Sequence, residues 1–255
     1  MAQYAFGAGL LWGTPLTDAA GNAISNPTPL QFGTLQDVSL DVSFDVKELF
    51  GQLQFAVAVG RGKGKITGKA KYAQIDALAW NSIMFGQTLN TGLIGDYYDT
   101  TGSTIPATPG PYTITPTVPG SGTWTRDLGV RNASGLPMTR VASAPATGEY
   151  SVSTGVYTFA SADQGLKVFI SFGYTNVANG YNSTVQNVIM GYAPAFRVDL
   201  ALPYSGKQLT LSLPNAISTK LTVATKLDDF TIPEFDFSGF ADSAGNVLTY
   251  SMTDL

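Results

Sequence analysis

The 255-residue chain has no cysteine and no histidine. The first absence removes disulfides, thiolate metal sites and cysteine nucleophiles, and the second removes Ser-His-Asp triads and imidazole-bound zinc or iron. Charge is also scarce. Only 13% of residues are Asp, Glu, Lys or Arg, about half the usual share for a soluble domain. So thin a charge layer fits a surface covered by copies of the chain or by partners, and equally a Thr/Ser/Asn-rich β surface. No run approaches the roughly 18 apolar residues of a membrane helix. Met1 to Gly7 lacks the basic start and apolar core of a signal peptide, so production in a cytosol and no membrane insertion are expected. In that setting the sequons at Asn132 and Asn182 are chance matches. The net charge of −4 argues against wrapping nucleic acid, though not against a channel through which nucleic acid slides.

What is present is apolar and alternating. With 44% hydrophobic residues the chain can bury a substantial core. Val38 to Val46 places an apolar side chain at every even position and Ser or Asp at every odd one, the period of a strand with one wet face. In the following run Leu53, Phe55, Val57 and Val59 occupy odd positions, and from Arg61 those same positions carry Arg61, Lys63, Lys65, Lys69 and Lys71. One straight strand cannot hold both sets on a buried face. Either a bulge at the intervening glycines reverses the phase or the strand leaves the body there. Gly62, Gly64, Ile66, Gly68 and Ala70 make a small opposite face that another backbone can approach closely.

The five cations admit two readings. They keep an edge strand from pairing with its neighbours, or they dock on acids. After Lys226 there is no Lys or Arg, whereas Asp228, Asp229, Glu234, Asp236, Asp242 and Asp254 are acidic, so residues 1–226 carry +2 and the remainder −6. A protomer polarised in this way suits head-to-tail association, with Arg61, Lys63, Lys65, Lys69 and Lys71 of one copy facing Asp228, Asp229, Glu234 and Asp236 of the next.

Elsewhere the Gly- and Pro-rich residues 1–34 predict an extended arm with a turn at Ala20-Gly21-Asn22. Apolar spacing over Ala73 to Phe85 predicts one helix, stopped by Gly86. Residues 99–123 hold Pro106, Pro109, Pro111, Pro116 and Pro119 and predict a long surface loop. It opens an insertion, 99–179, with strands at 137–141, 149–152, 156–159 and 167–174. Residues 1–98 and 180–255 form the main domain, with strands at 195–202, 207–213 and 221–227 and an edge strand at 230–237 around Pro233. The fold class is all-β, a sandwich or barrel with one packed helix, an inserted small β-module and extended arms.

Little of this is catalytic equipment. Gly60 to Lys65 is glycine-rich and basic but lacks the spacing of a phosphate-binding loop. Asp228, Asp229, Glu234 and Asp236 offer carboxylates for glycoside hydrolysis or calcium binding without an apolar setting or a calcium-loop pattern. The expectation is no enzyme, no cofactor and no metal. Tyr97, Tyr98, Tyr112 and Trp124 either anchor the long loop or stack on a sugar or partner.

Asp37 to Asp41, the strip Ala58 to Ala70, the helix end Met84-Phe85-Gly86 and the segment Leu227 to Phe235 together resemble the major tail tube proteins of tailed bacteriophages. The resemblance implies a β-sandwich with a packed helix and six-membered rings of identical copies. Rings would stack into a virion tail tube, joined by long hairpins and arms, that contacts other tail or neck proteins and conducts DNA as cargo. The insertion would decorate the outside. A capsid-decoration or host-glycan-binding virion protein, and a carboxylate glycosidase using Glu234 or Asp236, remain as alternatives.

Overall fold

The computed structural model describes residues 4–254 and is all-β. Met1 to Gln3 of the expected arm and the Asp254 side chain lie outside the described residues. The chain opens with β1 (Leu10–Pro15), β2 (Leu30–Gln31), β3 (Leu35–Phe50) and β4 (Ala56–Tyr72), then α1 (Ala77–Ala79). It continues through β5 (Asn90–Tyr97), β6 (Ser103–Thr104), β7 (Thr113–Ile114), β8 (Thr123–Asn132), β9 (Thr139–Arg140), β10 (Glu149–Ser153), β11 (Val156–Phe159) and β12 (Lys167–Asn182). It closes with β13 (Ala195–Tyr204), β14 (Lys207–Thr222), β15 (Glu234–Phe240) and β16 (Thr249–Asp254).

Two compact units result, residues 1–89 with 183–255, and residues 90–182. The boundaries differ from the expected 98/99 and 179/180 because β5, before the proline-rich loop, pairs with β12 from Thr91–Tyr181 to Tyr97–Phe172.

The first unit is built on one sheet in the order β2-β1-β13-β14-β15-β4-β3, with β16 also pairing β14. Its core holds Leu11, Phe32, Ile66, Tyr72, Ile83, Phe196, Leu213, Phe235 and Phe237. Phe32 stacks on Phe235 at 4.8 Å and meets Tyr72 edge-on at 5.2 Å, the offset geometries that ring quadrupoles favour. The expected arm is therefore short, since β1 is a sheet strand and Leu11 is fully buried. β15 is likewise a central strand, flanked by β14 and β4. Pro233 precedes its first residue and removes no ladder hydrogen bond, so the proline does not demand an edge. The alternation expected at 221–227 ends as a strand at Thr222. Gly68 does receive a close neighbour, the Phe237 ring, which occupies the space a Cβ would need.

The helix starts later than its apolar spacing suggests. Residue 73 still belongs to the sheet's edge, its N–H donating to the Thr34 carbonyl. Asp76 caps the start by accepting the Leu78 N–H at 2.8 Å. After Ala79 the turns widen to π-helical over Trp80–Phe85, and left-handed Gly86 ends them as expected. Ile83 and Ala79 face the core, while Ile75 and Leu78 stay exposed. Trp80 donates its ring N–H to the Tyr72 hydroxyl. Burial pushes the Tyr72 phenol up to about 12. A phenol harder to ionise when folded stabilises the fold below pH 10 and loses that contribution as pH rises through 12. Alkaline unfolding should therefore steepen between pH 10 and 12 by about 3 kcal/mol from this phenol, and Tyr72→Phe should remove that share from a pH series of denaturant melts, leaving the part due to Tyr150 and Tyr157, whose phenols burial also raises.

The second unit has a sheet ordered β7-β11-β10-β9 and another in which β12 pairs β5, β6 and β8. β10 and β11 form a hairpin closed by the two-residue turn Thr154-Gly155, both at positive φ. The proline-rich loop is not wholly surface, since Ile105 is fully buried. Tyr150 and Tyr157 donate their hydroxyls to the Asp127 carboxylate at 2.8 and 3.1 Å. Asp99 is buried, and its carboxylate accepts the N–H groups of Thr101, Gly102 and Ile170 at 2.8 to 3.0 Å.

Three loops, Asp18–Asn22, Asn132–Leu136 and Asp242–Asn246, share one bonding scheme. In each, the first side chain accepts the N–H groups of the third and fifth residues, and the fourth residue is glycine at a φ of 79 to 85°.

Candidate assembly surface

β4 pairs with both β3 and β15 only from Lys71 back to Ile66. Beyond Ile66 the β3–β4 hairpin continues without a further neighbour, and the burial pattern shows it. From Ile66 to Tyr72 alternate residues are buried, whereas residues 41–65 are exposed throughout except half-buried Ala56. About ten residues per strand at 3.3 Å each give a free ribbon of roughly 30 Å.

The change of face read in β4 has both of its possible causes. Phe44 pairs with Gly64 and Val46 with Arg61, so β4 carries one extra residue at Gly62-Lys63. That bulge reverses the phase of β4 alone. Val42, Phe44 and Val46 therefore share a side of the ribbon with Arg61 and Val59, and the Arg61 guanidinium lies 4.5 Å from the Phe44 ring centroid. The ribbon also leaves the body. Its apolar side chains are solvated, from Phe44 at 47% to Leu53 and Phe55 near 80%. Exposed apolar surface this continuous marks an interaction face.

The five cations separate into two groups. Lys69 and Lys71 stand on the body beside β15, with their ammonium groups 2.6 and 3.7 Å from the Glu234 carboxylate of the same chain. The hydrogen bond from Lys69 holds the Glu234 carboxyl below its ordinary range, and the same bond raises Lys69. Asp236 pairs across to Lys69 on one side and Lys220 on the other, and its Oδ1 is buried without a partner. So Lys69, Lys71, Glu234 and Asp236 meet within one chain, because β15 lies against β4. Arg61, Lys63 and Lys65 sit on the free ribbon and have no ion pair among the described residues. Asp229 binds Lys226 at 2.9 Å, which lowers its carboxyl, and Asp228 beside it is unpaired among the described residues.

A Glu234 carboxyl held below its ordinary value does not suit the general acid of a glycosidase, which needs a raised one, while the nucleophile or base of such a pair is ionised in any case. No three acidic side chains gather as a cation site among the described residues, and no helix is long and apolar enough to cross a membrane. Of the four aromatics singled out in the second unit, Tyr97 packs on Phe172 at 5.1 Å, and Trp124 donates to the Tyr157 hydroxyl at 3.3 Å. Tyr112 is half-buried. Tyr98 is 63% exposed, with Arg131 over its ring. Departure from the body was legible at the glycines of β4, whereas the exposure of Val42, Phe44 and Val46 on β3 was not, because their alternation is that of a half-buried strand. No protein-family model and no curated protein sequence matches the chain.

Proposed function

We propose that this chain is a self-assembling structural protein of a virion, a subunit of a phage tail tube. Copies close into rings, most simply hexameric, and the rings stack into a conduit for DNA, with other tail or neck proteins at its ends. The observation that carries the reading is the β3–β4 ribbon. It presents apolar side chains and three cations with no ion pair among the described residues, and β3 leaves a 16-residue outer edge unpaired within the unit. A lone protein would be hazarded by such an edge, whereas a subunit uses it. The charge-poor surface agrees with extensive coverage by copies, and the second unit is free to decorate the outside.

The test is electron microscopy and light scattering of the purified chain across a salt series. Rings or tubes that dissociate as salt rises are expected. Changing Arg61, Lys63 and Lys65 together to Glu should abolish them. Glu234→Gln, which touches only the pair inside the chain, should leave them intact. Monomers under every condition would sink the proposal.

A further inference from the structure

Where the ribbon meets the body, the apolar face of the sheet outruns the core. Val42, Phe44, Phe240 and Val247 are 37 to 47% exposed there and line a groove of about 810 Å³, a size that accepts a few side chains. Arg61 does not line the groove but lies over the ring of Phe44, which does, and it has no ion pair among the described residues.

The other end of the same sheet offers the complementary shape. Leu227 and Phe230 are 97 and 85% exposed, the fullest exposure of large apolar side chains in the segment joining β14 to β15. They bracket Asp228, which has no ion pair among the described residues. One copy cannot bring the two together. β15 starts at Glu234, opposite Lys71, and ends at Phe240, past Ile66. The segment before it and the groove after it are thus separated by the strand's seven residues, about 20 Å.

We infer that the groove receives Leu227–Phe230 of a second copy, with Leu227 and Phe230 on Val42, Phe44 and Phe240 and Asp228 against Arg61. Tyr4 with Phe6, and Ile189 with Met190, are also exposed, but those segments bring no acid to Arg61. The inference rests on the stacking proposed above and gives it a direction. Groove and plug are different surfaces at opposite ends of one sheet, so each copy uses both and the contact runs head to tail from copy to copy.

The chain's lack of cysteine makes the test direct. Val247→Cys and Leu227→Cys in one full-length chain, oxidised with diamide, should give a ladder of covalent multimers on a non-reducing gel. The two single variants mixed should give dimers only, and each alone should give neither. Phe230→Ala, at an exposed position, should raise the concentration needed for assembly at least tenfold, as expected of an interface anchor. Asp228→Arg should block assembly, and Asp228→Arg combined with Arg61→Asp should restore it. Particles that form without the cross-link and tolerate Phe230→Ala would overturn the plug while leaving the stacking. A chain that never assembles would overturn both.

Discussion

A chain in which Asn-Gly joins Phe44 directly to Gly64, deleting residues 45–63, is expected to fold as the parent does and to remain monomeric where the parent assembles. Nothing in the deleted stretch is buried, and only Ala56 is half-covered. Ile66 and the alternating core residues beyond it are retained, and Asn-Gly supplies the two positive-φ positions that a two-residue hairpin needs. The melting temperature should therefore shift by no more than about 3 °C. The oligomer should disappear altogether, because Val46, Val57, Val59, Arg61 and Lys63 go with the ribbon. Light scattering at matched concentrations decides the matter. Particles forming at the parental concentration would place the contact elsewhere, for instance at β16 or the exposed apolar segment around Ile189.

The largest expected effect on stability lies in the second unit. Burial pushes the Asp99 carboxyl up, but the N–H groups of Gly102, Ile170 and Thr101 and the Thr101 hydroxyl outweigh it and hold the group below its ordinary value. A carboxyl lowered on folding stabilises the unit above the unfolded value near 3.8 and loses that contribution as pH falls through the folded one. Asp99→Ala removes the acceptor from three backbone donors, the Ile170 N–H being wholly buried in β12. Each buried donor left without a partner costs about 1–3 kcal/mol, so a loss of about 4 kcal/mol is expected. Amide exchange over residues 167–172 should accelerate by roughly three orders of magnitude, with residues 66–72 unchanged. Unaltered protection at Ile170 would mean that the carboxylate does not order β12.

Legibility followed the solvent contrast of each strand. β10, β11, β13 and β15 are half-buried, so their two faces differ in chemistry and the alternation is plain in Phe235-Asp236-Phe237, whereas β3 alternates just as plainly over Val38 to Val46 although its residues from Asp41 onward are exposed on both faces. β1, with Gly13 and Pro15 interrupting the pattern, and β8, with Asp127 and Arg126 among its residues, carry little contrast. Their strand state comes from pairing to β13 and β12, which no local window contains. The candidate surface was half legible. The cations and the change of face were in the sequence, but pairing Glu234 with Lys69 requires knowing that β15 lies beside β4 across some 160 residues of chain. The exposure of Phe44 or Val59 is equally nonlocal, since an apolar residue shows nothing of whether another layer will cover it.

The three Asx-x-x-Gly-x loops bear on how such a chain tolerates change. Each is closed by bonds among its own five residues, from Asp18 to Asn22, Asn132 to Leu136 and Asp242 to Asn246. The shape of each is thus encoded on the spot and owes little to the strands it joins. One such pentapeptide can be exchanged for another as a ready-made connector, and strands on either side are free to diverge without losing the corner between them.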